Sequence, residues 1–346
     1  MKYSNVYIDA FGYELAPVVV SSSELEKRLE PVYKKLHFQR GQLEALTGIY
    51  ERRFWPVEHT MHEEAAKAAQ KALDKSTASV SDLGMVIYGG VCRDNLEPAT
   101  ACAVADKIGA SPDAIVYDVS NACLGVLSGI IQVANAIELG QIKAGIVVSC
   151  ESSRQIVDIT IERLLANPDM EMFKQTIATM TGGSGAIAVV LTAKDMSDSG
   201  HKLLGGVIKN SVENHRLCTW GPDTGIPASG LNVMQTDSIG VLNNGVILGK
   251  NTYDAFKKEL SLPDNKPDKV ICHQVGSAHQ RTILETITIP IEKDYTTFQY
   301  LGNIGTVSLP ITAAIAGERD VLQKKDIVGF FGIGSGLNCM MLGLEW

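Results

Sequence analysis

Short runs of β-branched and aromatic residues alternate along the chain with stretches rich in alanine and other small residues. VYIDAF (6–11), MVIYGG (85–90), AIVYDVS (114–120), KAGIVVSCES (143–152) and GAIAVVLT (185–192) read as strands. Such runs suit a buried pleated surface and are bounded here by Gly, Ser or Asp. HEEAAKAAQKALDKS (62–76), ATACAVADKIG (99–109) and CLGVLSGIIQVANAIELG (123–140) read as helices, with apolar positions three and four apart. The second half repeats the style. A helix over 252–260, a strand KVICHQ (269–274) and a helix GSAHQRTILETI (276–287) lead to Asn303, an alanine-rich helix ending near Gly317, and two strands around a Gly-Ser-Gly turn. Strand–helix–strand alternation predicts parallel pairing through right-handed crossovers, hence a layered α/β fold. The polar stretch AKDMSDSGHK (193–202) is the best boundary, dividing residues 1–195 from 196–346 as two halves packed into one body.

Composition narrows the function. Thirty-one basic against 39 acidic side chains, a net charge of −8, argue against a nucleic-acid surface or attachment to anionic membrane. The 346 residues suffice for two domains' worth of core. Seven cysteines, an odd number with no CxxC spacing, predict reduced thiols in a cytoplasmic protein and neither a disulfide framework nor a zinc site. The uncharged run around Cys123 is interrupted by Ser120, Asn121, Ser128, Gln132 and Asn135, so a buried helix is expected there, not a membrane span. The first residues lack the pattern of a signal peptide.

Three residues stand in chemically suggestive places. Cys123 follows a strand and opens a long small-residue helix, where backbone N–H groups favour an anion and a depressed thiol pKa is expected. Gly125 and Gly129 on that helix allow close approach by another element. The context alone supports a nucleophile and a structural cysteine about equally. His273 ends a strand at a strand–helix loop, where catalytic groups of α/β folds collect; a core histidine is the commoner reason for one there. His279, on the following helix, is weaker. Asn303 lies in LGNIGTVSLP, and an Asn beside Gly is more often a turn residue. Other patterns are discounted: Gly332, Gly334 and Gly336 lack the helix of a dinucleotide loop, His59 and His62 lack zinc spacing and read as a solvated helix start, and Glu51-Arg52-Arg53 beside Trp55 could grip a phosphate but reads more simply as an exposed face.

Taken in order, Cys, His and Asn in these surroundings resemble the thiolase superfamily on its ketoacyl synthase III side. His273 and Asn303 are 30 residues apart, TGIYERRFW (47–55) resembles that branch's TGI-x-x-R segment, and GIGSGLN resembles its glycine turn. CRDNLEPATA, NACLG, HQVGS, GNIG and GIGSGLNC are most similar to the OleA-type enzymes, which condense two fatty acyl-CoAs head to head at the start of bacterial olefin synthesis. Leu46 before TGI and Val275-Gly276 after His273-Gln274 depart from decarboxylating ketoacyl synthase III.

The resemblance implies a five-layered αβαβα thiolase-like fold, no cofactor, and a homodimer. It implies Cys123 as the nucleophile, with its backbone N–H and that of Ser335 as the oxyanion hole. His273 and Asn303 are the implied donors to the second thioester, and Glu97 is the base, donated across the dimer interface. The implied reaction is a Claisen condensation without decarboxylation, giving a 2-alkyl-3-keto acid for downstream olefin-pathway enzymes. Competing readings are a decarboxylative ketoacyl synthase III using a malonyl thioester, a non-catalytic acyl-binding subunit, and a hydroxymethylglutaryl-CoA synthase-like enzyme.

Overall fold

The computed structural model describes residues 1–222 and 232–346. Nine strands form its main sheet: β1 (Val6–Leu15), β2 (Leu83–Gly89), β3 (Ile115–Val119), β4 (Ala144–Glu151), β5 (Gly185–Ala193), β6 (Lys202–Asn210), β7 (Lys269–Cys272), β8 (Ile327–Gly334) and β9 (Asn338–Glu345). Their order is β7-β8-β9-β6-β1-β5-β4-β2-β3. β1 and β6 meet through one register pair, Tyr7 with Lys202, so the assembly behaves as two sheets sharing a seam. Residues before the polar stretch at 193–202 build β1 to β5, and those after it build β6 to β9.

Parallel pairing holds only in part. β3, β2 and β4 run parallel, as do β7 and β8, whereas β4–β5, β5–β1, β8–β9 and β9–β6 are antiparallel. The connection from β4 to β5 explains one departure. It leaves at Glu151 and re-enters at Gly185, directly opposite in register. Its helices, Arg154–Ala166 and Met170–Thr176, therefore cap one end of the sheet without crossing it, and a parallel neighbour requires a crossover.

The burial pattern resolves five layers. Helices α1 (Met61–Leu73) and α2 (Thr100–Ile108) pack Ala65, Ala68, Ala72 and Val104 against Val86, Tyr88, Ile146 and Val148 on the outer face of the first sheet. Alternate residues Met85, Ile87, Ile187 and Val189 face inward onto helices α3 (Gly125–Glu138) and, later in the chain, α6 (Ser308–Glu318). The same middle cluster takes Val328, Phe330, Met340 and Leu342 from the second sheet. Phe331, Cys339 and Met341 face the other way, onto α4 (Ser238–Leu260) and α5 (Ser277–Thr286). The period-two alternation of two faces buried by different helix layers produces this sandwich.

α6 is buried nearly all round, as a doubly covered helix demands, with eight of its eleven residues buried, whereas α3 leaves Gln132 and Asn135 exposed. The uncharged run around Cys123 is indeed a buried helix. Its glycines admit the sheet and not another helix. A Cβ on Gly125 would sit 2.9 Å from the Gly89 carbonyl carbon, and one on Gly129 would sit 2.6 Å from Val147 Cγ1. No helix among the described residues is long and apolar enough to cross a membrane.

Candidate active site

Cys123 sits where β3 turns into α3. Ala122 adopts φ +45, a left-handed conformation costing a non-glycine residue about 1 kcal/mol. The bend is held from both sides: Asn121 donates to Ser128 Oγ at 3.0 Å and accepts from Asn338 Nδ2 at 3.2 Å. A single 3₁₀ turn, Ala122–Leu124, then leads into α3. Cys123 keeps some exposed surface, yet its thiol is pushed up to about 12, first by burial and then by the nearby Cys218 thiol and Glu151 carboxylate. The depressed pKa expected from the helix start is therefore not what this site has. A helix N-terminus is worth about 0.3–1 kcal/mol, and desolvation of a buried thiolate outweighs it.

His273 follows the last residue of β7, and its N–H donates to Phe331 O at 2.9 Å. The neighbouring Gln274 is buried; it donates to Cys272 O at 2.7 Å and accepts from the N–H of Thr297 at 2.9 Å, which fixes the loop. Burial, and then His279, push the imidazole of His273 down to about 3. The ring is neutral at physiological pH and can donate one N–H, but it cannot serve as a standing cation. His279 lies on α5 as expected, and both histidines line a narrow apolar cleft of about 40 Å³ with Gly245, Gly249 and Ile333.

Asn303 pairs with Gly182 in an isolated parallel bridge. Its N–H donates to Thr181 O at 2.9 Å and its carbonyl accepts from Gly183 at 3.0 Å. Its side-chain Oδ1 accepts from Gly305 N–H at 3.1 Å, so the amide nitrogen remains as a donor. These loops converge. Thr306 Oγ1, three residues beyond Asn303, accepts the N–H of Val126, three residues beyond Cys123, at 2.8 Å. Gly334, at the end of β8, lies so close that a Cβ there would be 3.3 Å from Cys123 N. That contact sets the turn carrying Ser335 beside Cys123, while Phe331 on the same strand holds His273.

Glu97 is elsewhere. It lies on the exposed stretch Asn95–Pro98, the tip of an arm between β2 and α2, beside Leu96, which is 90% exposed. The groups whose charge acts on Cys123 are Cys218 and Glu151, not Glu97. An open groove of about 1040 Å³ runs along the arm, lined by Arg93, Leu96, Arg154 and Trp220 among others.

Two further sequence readings need correction. Arg52, read as part of an exposed face, is fully buried. It donates to Ser22 Oγ at 3.0 Å and Met180 O at 3.1 Å, tying the TGI-x-x-R segment to the loop that holds Asn303. His62 does open a helix, but half-buried and not free in solvent: its Nδ1 lies 2.8 Å from Asp94 Oδ2, and Asp94 accepts the N–H of Met61 and His62 at the head of α1. Sequence reasoning missed Glu151, a buried acid at the end of β4; a lone carboxylate closing the apolar run GIVVSC was its only signal.

Comparison with known proteins agrees with this geometry. Residues 117–210 match the family of 3-oxoacyl-[acyl-carrier-protein] synthase III, and residues 258–346 match that enzyme's C-terminal family. The chain is 52% identical over 353 residues to the acyl-CoA:acyl-CoA alkyltransferase of Shewanella oneidensis and 32% identical over 348 to that of Xanthomonas campestris pv. campestris, with full coverage of both partners. The chain belongs to the OleA family. This places it among the acyltransferases of the thiolase superfamily. Its fold overlays cerulenin-bound Xanthomonas campestris OleA with a TM-score of 0.94 at 32% identity, covering 100% of this chain and 98% of that one. The β-ketoacyl-[acyl-carrier-protein] synthase III of Natranaerobius thermophilus is more distant, at 25% over 351 residues.

Proposed function

We propose that the protein joins two fatty acyl-CoAs by a Claisen condensation without decarboxylation, with Cys123 as nucleophile and Glu97 as base. The Cys123 sulfur attacks the first thioester; the acyl group moves to the cysteine and CoA leaves as its thiol. The oxyanion of that step is held by the backbone N–H groups of Cys123 and Ser335. Glu97 takes the α-proton of the second acyl-CoA, and the enolate oxygen is held by the neutral His273 and the Asn303 amide. The α-carbon then bonds to the acyl carbon, the Cys123 thiolate leaves and is reprotonated, and hydrolysis of the remaining thioester releases a 2-alkyl-3-keto acid. A thioester α-carbon is weakly acidic, so this route requires a base that a malonyl extender makes unnecessary.

One observation carries the reading. Solved variants of Xanthomonas campestris OleA alter a cysteine and a glutamate lying 26 residues before it, and Glu97 precedes Cys123 by the same 26 residues. Others alter a histidine, and one cysteine variant holds lauric acid and lauroyl-CoA. The exposed position of Glu97 in a single chain supports a homodimer in which the arm enters the partner's site. Residues 1–195 and 196–346 are read as two related halves, the first carrying the nucleophile and the second His273 and Asn303. We read the protein as cytoplasmic, free of any cofactor, and passing its product to reducing and decarboxylating partners.

The test is product mass spectrometry with one long-chain acyl-CoA and no malonyl thioester. A 2-alkyl-3-keto acid, or the ketone from its loss of carbon dioxide, is expected from wild type and not from Cys123→Ser or Glu97→Gln. Acylated Cys123 that waits for a malonyl thioester would assign the decarboxylative alternative instead.

A further inference from the structure

Glu151 is 3% exposed at the end of a central strand, and its carboxylate has no cation among the groups that act on it. Its partners lie at the root of the arm that carries Glu97. Oε1 accepts the N–H of Val91 at 2.9 Å and Oε2 accepts that of Cys92 at 3.3 Å. The same root is fastened twice more: Tyr88 Oη, from β2, lies 2.7 Å from both Cys92 O and Cys150 O, and Ser152 N–H donates to Cys92 Sγ at 3.4 Å. On its other flank, the Glu151 side chain packs under the Asn303 turn. A Cβ at Gly305 would lie 3.3 Å from Glu151 Cγ, and Gly305 is the residue that orients the Asn303 amide. Farther out, Asp94 clamps the arm to the head of α1 and Asp118 accepts the N–H groups of Thr100 and Ala101 where it ends. Only the tip, Asn95–Pro98, is left projecting.

A buried, unpaired carboxylate is expensive and persists where its hydrogen bonds are needed. Here the two oxygens of one carboxylate take the two adjacent N–H groups, one each, so replacing either oxygen by an amide nitrogen leaves one N–H facing another donor. We propose that Glu151 is a positioning residue that sets the arm carrying Glu97, so that it governs the condensation step performed by that arm and not the acylation of Cys123. This rests on the reading of Glu97 as the base. With the arm serving the partner's site, the arm effect of a Glu151 substitution is felt in the neighbouring site, whereas its own site loses the charge that raises the Cys123 thiol.

The experiment separates the two half-reactions and the two protomers. In Glu151→Gln, one backbone N–H faces an amide N–H, and the arm loses a fastening of its root. Burst release of CoA, reporting acylation of Cys123, should not fall, because loss of the Glu151 charge eases deprotonation of Cys123, whereas condensation should fall about 10- to 100-fold, the usual effect of misplacing a catalytic group by an ångström. Glu151→Asp, which keeps the charge but withdraws it from the arm, should show the same split. Protomer mixing then localises the effect. Activity restored by mixing Cys123→Ser with Glu97→Gln should collapse when Glu151→Gln is added to the Cys123→Ser chain, which donates the intact arm, and persist when it is added to the other. Acylation and condensation falling together, or equal losses from either chain, would overturn the role of Glu151. No restoration in the parent mixture would instead remove the trans placement of Glu97, leaving the half-reaction split in the homodimer to decide Glu151.

Discussion

The hydroxyl of Thr306 accepts the Val126 N–H at 2.8 Å, joining the turn after Asn303 to the helix that follows Cys123 across 180 residues of chain. The bond is buried, and a valine of similar shape leaves that N–H with no acceptor. Thr306→Val is expected to lose about 1–3 kcal/mol of stability, read by urea unfolding. A change below ~0.5 kcal/mol would show that this link is dispensable.

Mixing Cys123→Ser protein with Glu97→Gln protein, after reversible dissociation, provides a direct check on the arm. If each arm enters the partner's site, a mixed dimer contains one site with both an intact cysteine and an intact glutamate. Random pairing then restores roughly a quarter of wild-type condensation. Sites assembled within one chain would restore none.

His273 makes the folded state sensitive to acid. Its pKa is pushed from 6.5 to about 3, so below pH 6.5 the unfolded chain takes up a proton that the folded chain refuses. Stability falls as pH drops through 6.5 and continues falling toward pH 3, by ~2 kcal/mol between pH 6.5 and 5 for one such group. Asp294 opposes it: burial raises its carboxyl to about 7, so its contribution declines as pH rises from 4 to 7. Urea midpoints of wild type and His273→Asn at pH 7.5 and 5 isolate the histidine. The wild type should lose more stability on acidification than the variant.

The Cys123 thiol, held near 12, should react slowly with iodoacetamide at pH 7. Its rate should climb close to tenfold per pH unit up to pH 10, because thiolate is the reacting form. Peptide mapping reads it against Cys102, which is exposed. A plateau below pH 8 would contradict the burial effect.

Gly89→Ala tests the contact between strand and nucleophile helix. The added methyl would lie 2.6 Å from the Gly125 carbonyl oxygen, with backbone on both sides and no side chain free to yield. Destabilisation of at least ~3 kcal/mol, with loss of condensation, is expected. Gly109→Ala is the control for strain alone: φ is +72 but nothing stands within 4 Å.

The order of strands and helices was legible because each face of each strand meets a different apolar layer, and alternation survives in the sequence. The 23-residue α4 was readable only from residue 252 onward. Its first part carries Gly240, Gly245 and Gly249, which lower helix propensity yet are used for packing: a Cβ on Gly249 would meet Ile283 at 2.6 Å. Cys123, His273 and Asn303 were singled out because each sits where an element begins or ends. Glu151 and Arg52 were hidden because burial of a charged side chain is decided by partners distant in sequence, Val91 and Cys92 for one and Ser22 and Met180 for the other. The direction of the Cys123 shift was missed because a helix start is visible in a sequence and desolvation is not.

The doubly covered middle layer has a consequence for how such an enzyme diversifies. α3 and α6 are read by a sheet on either side, so a mutation there must satisfy two packing surfaces at once. The loops at the sheet ends, where the arm and the 152–184 connection lie, answer to fewer neighbours. Heritable variation in chain-length preference should therefore accumulate at this rim, while the helices rooting Cys123 and Asn303 drift slowly.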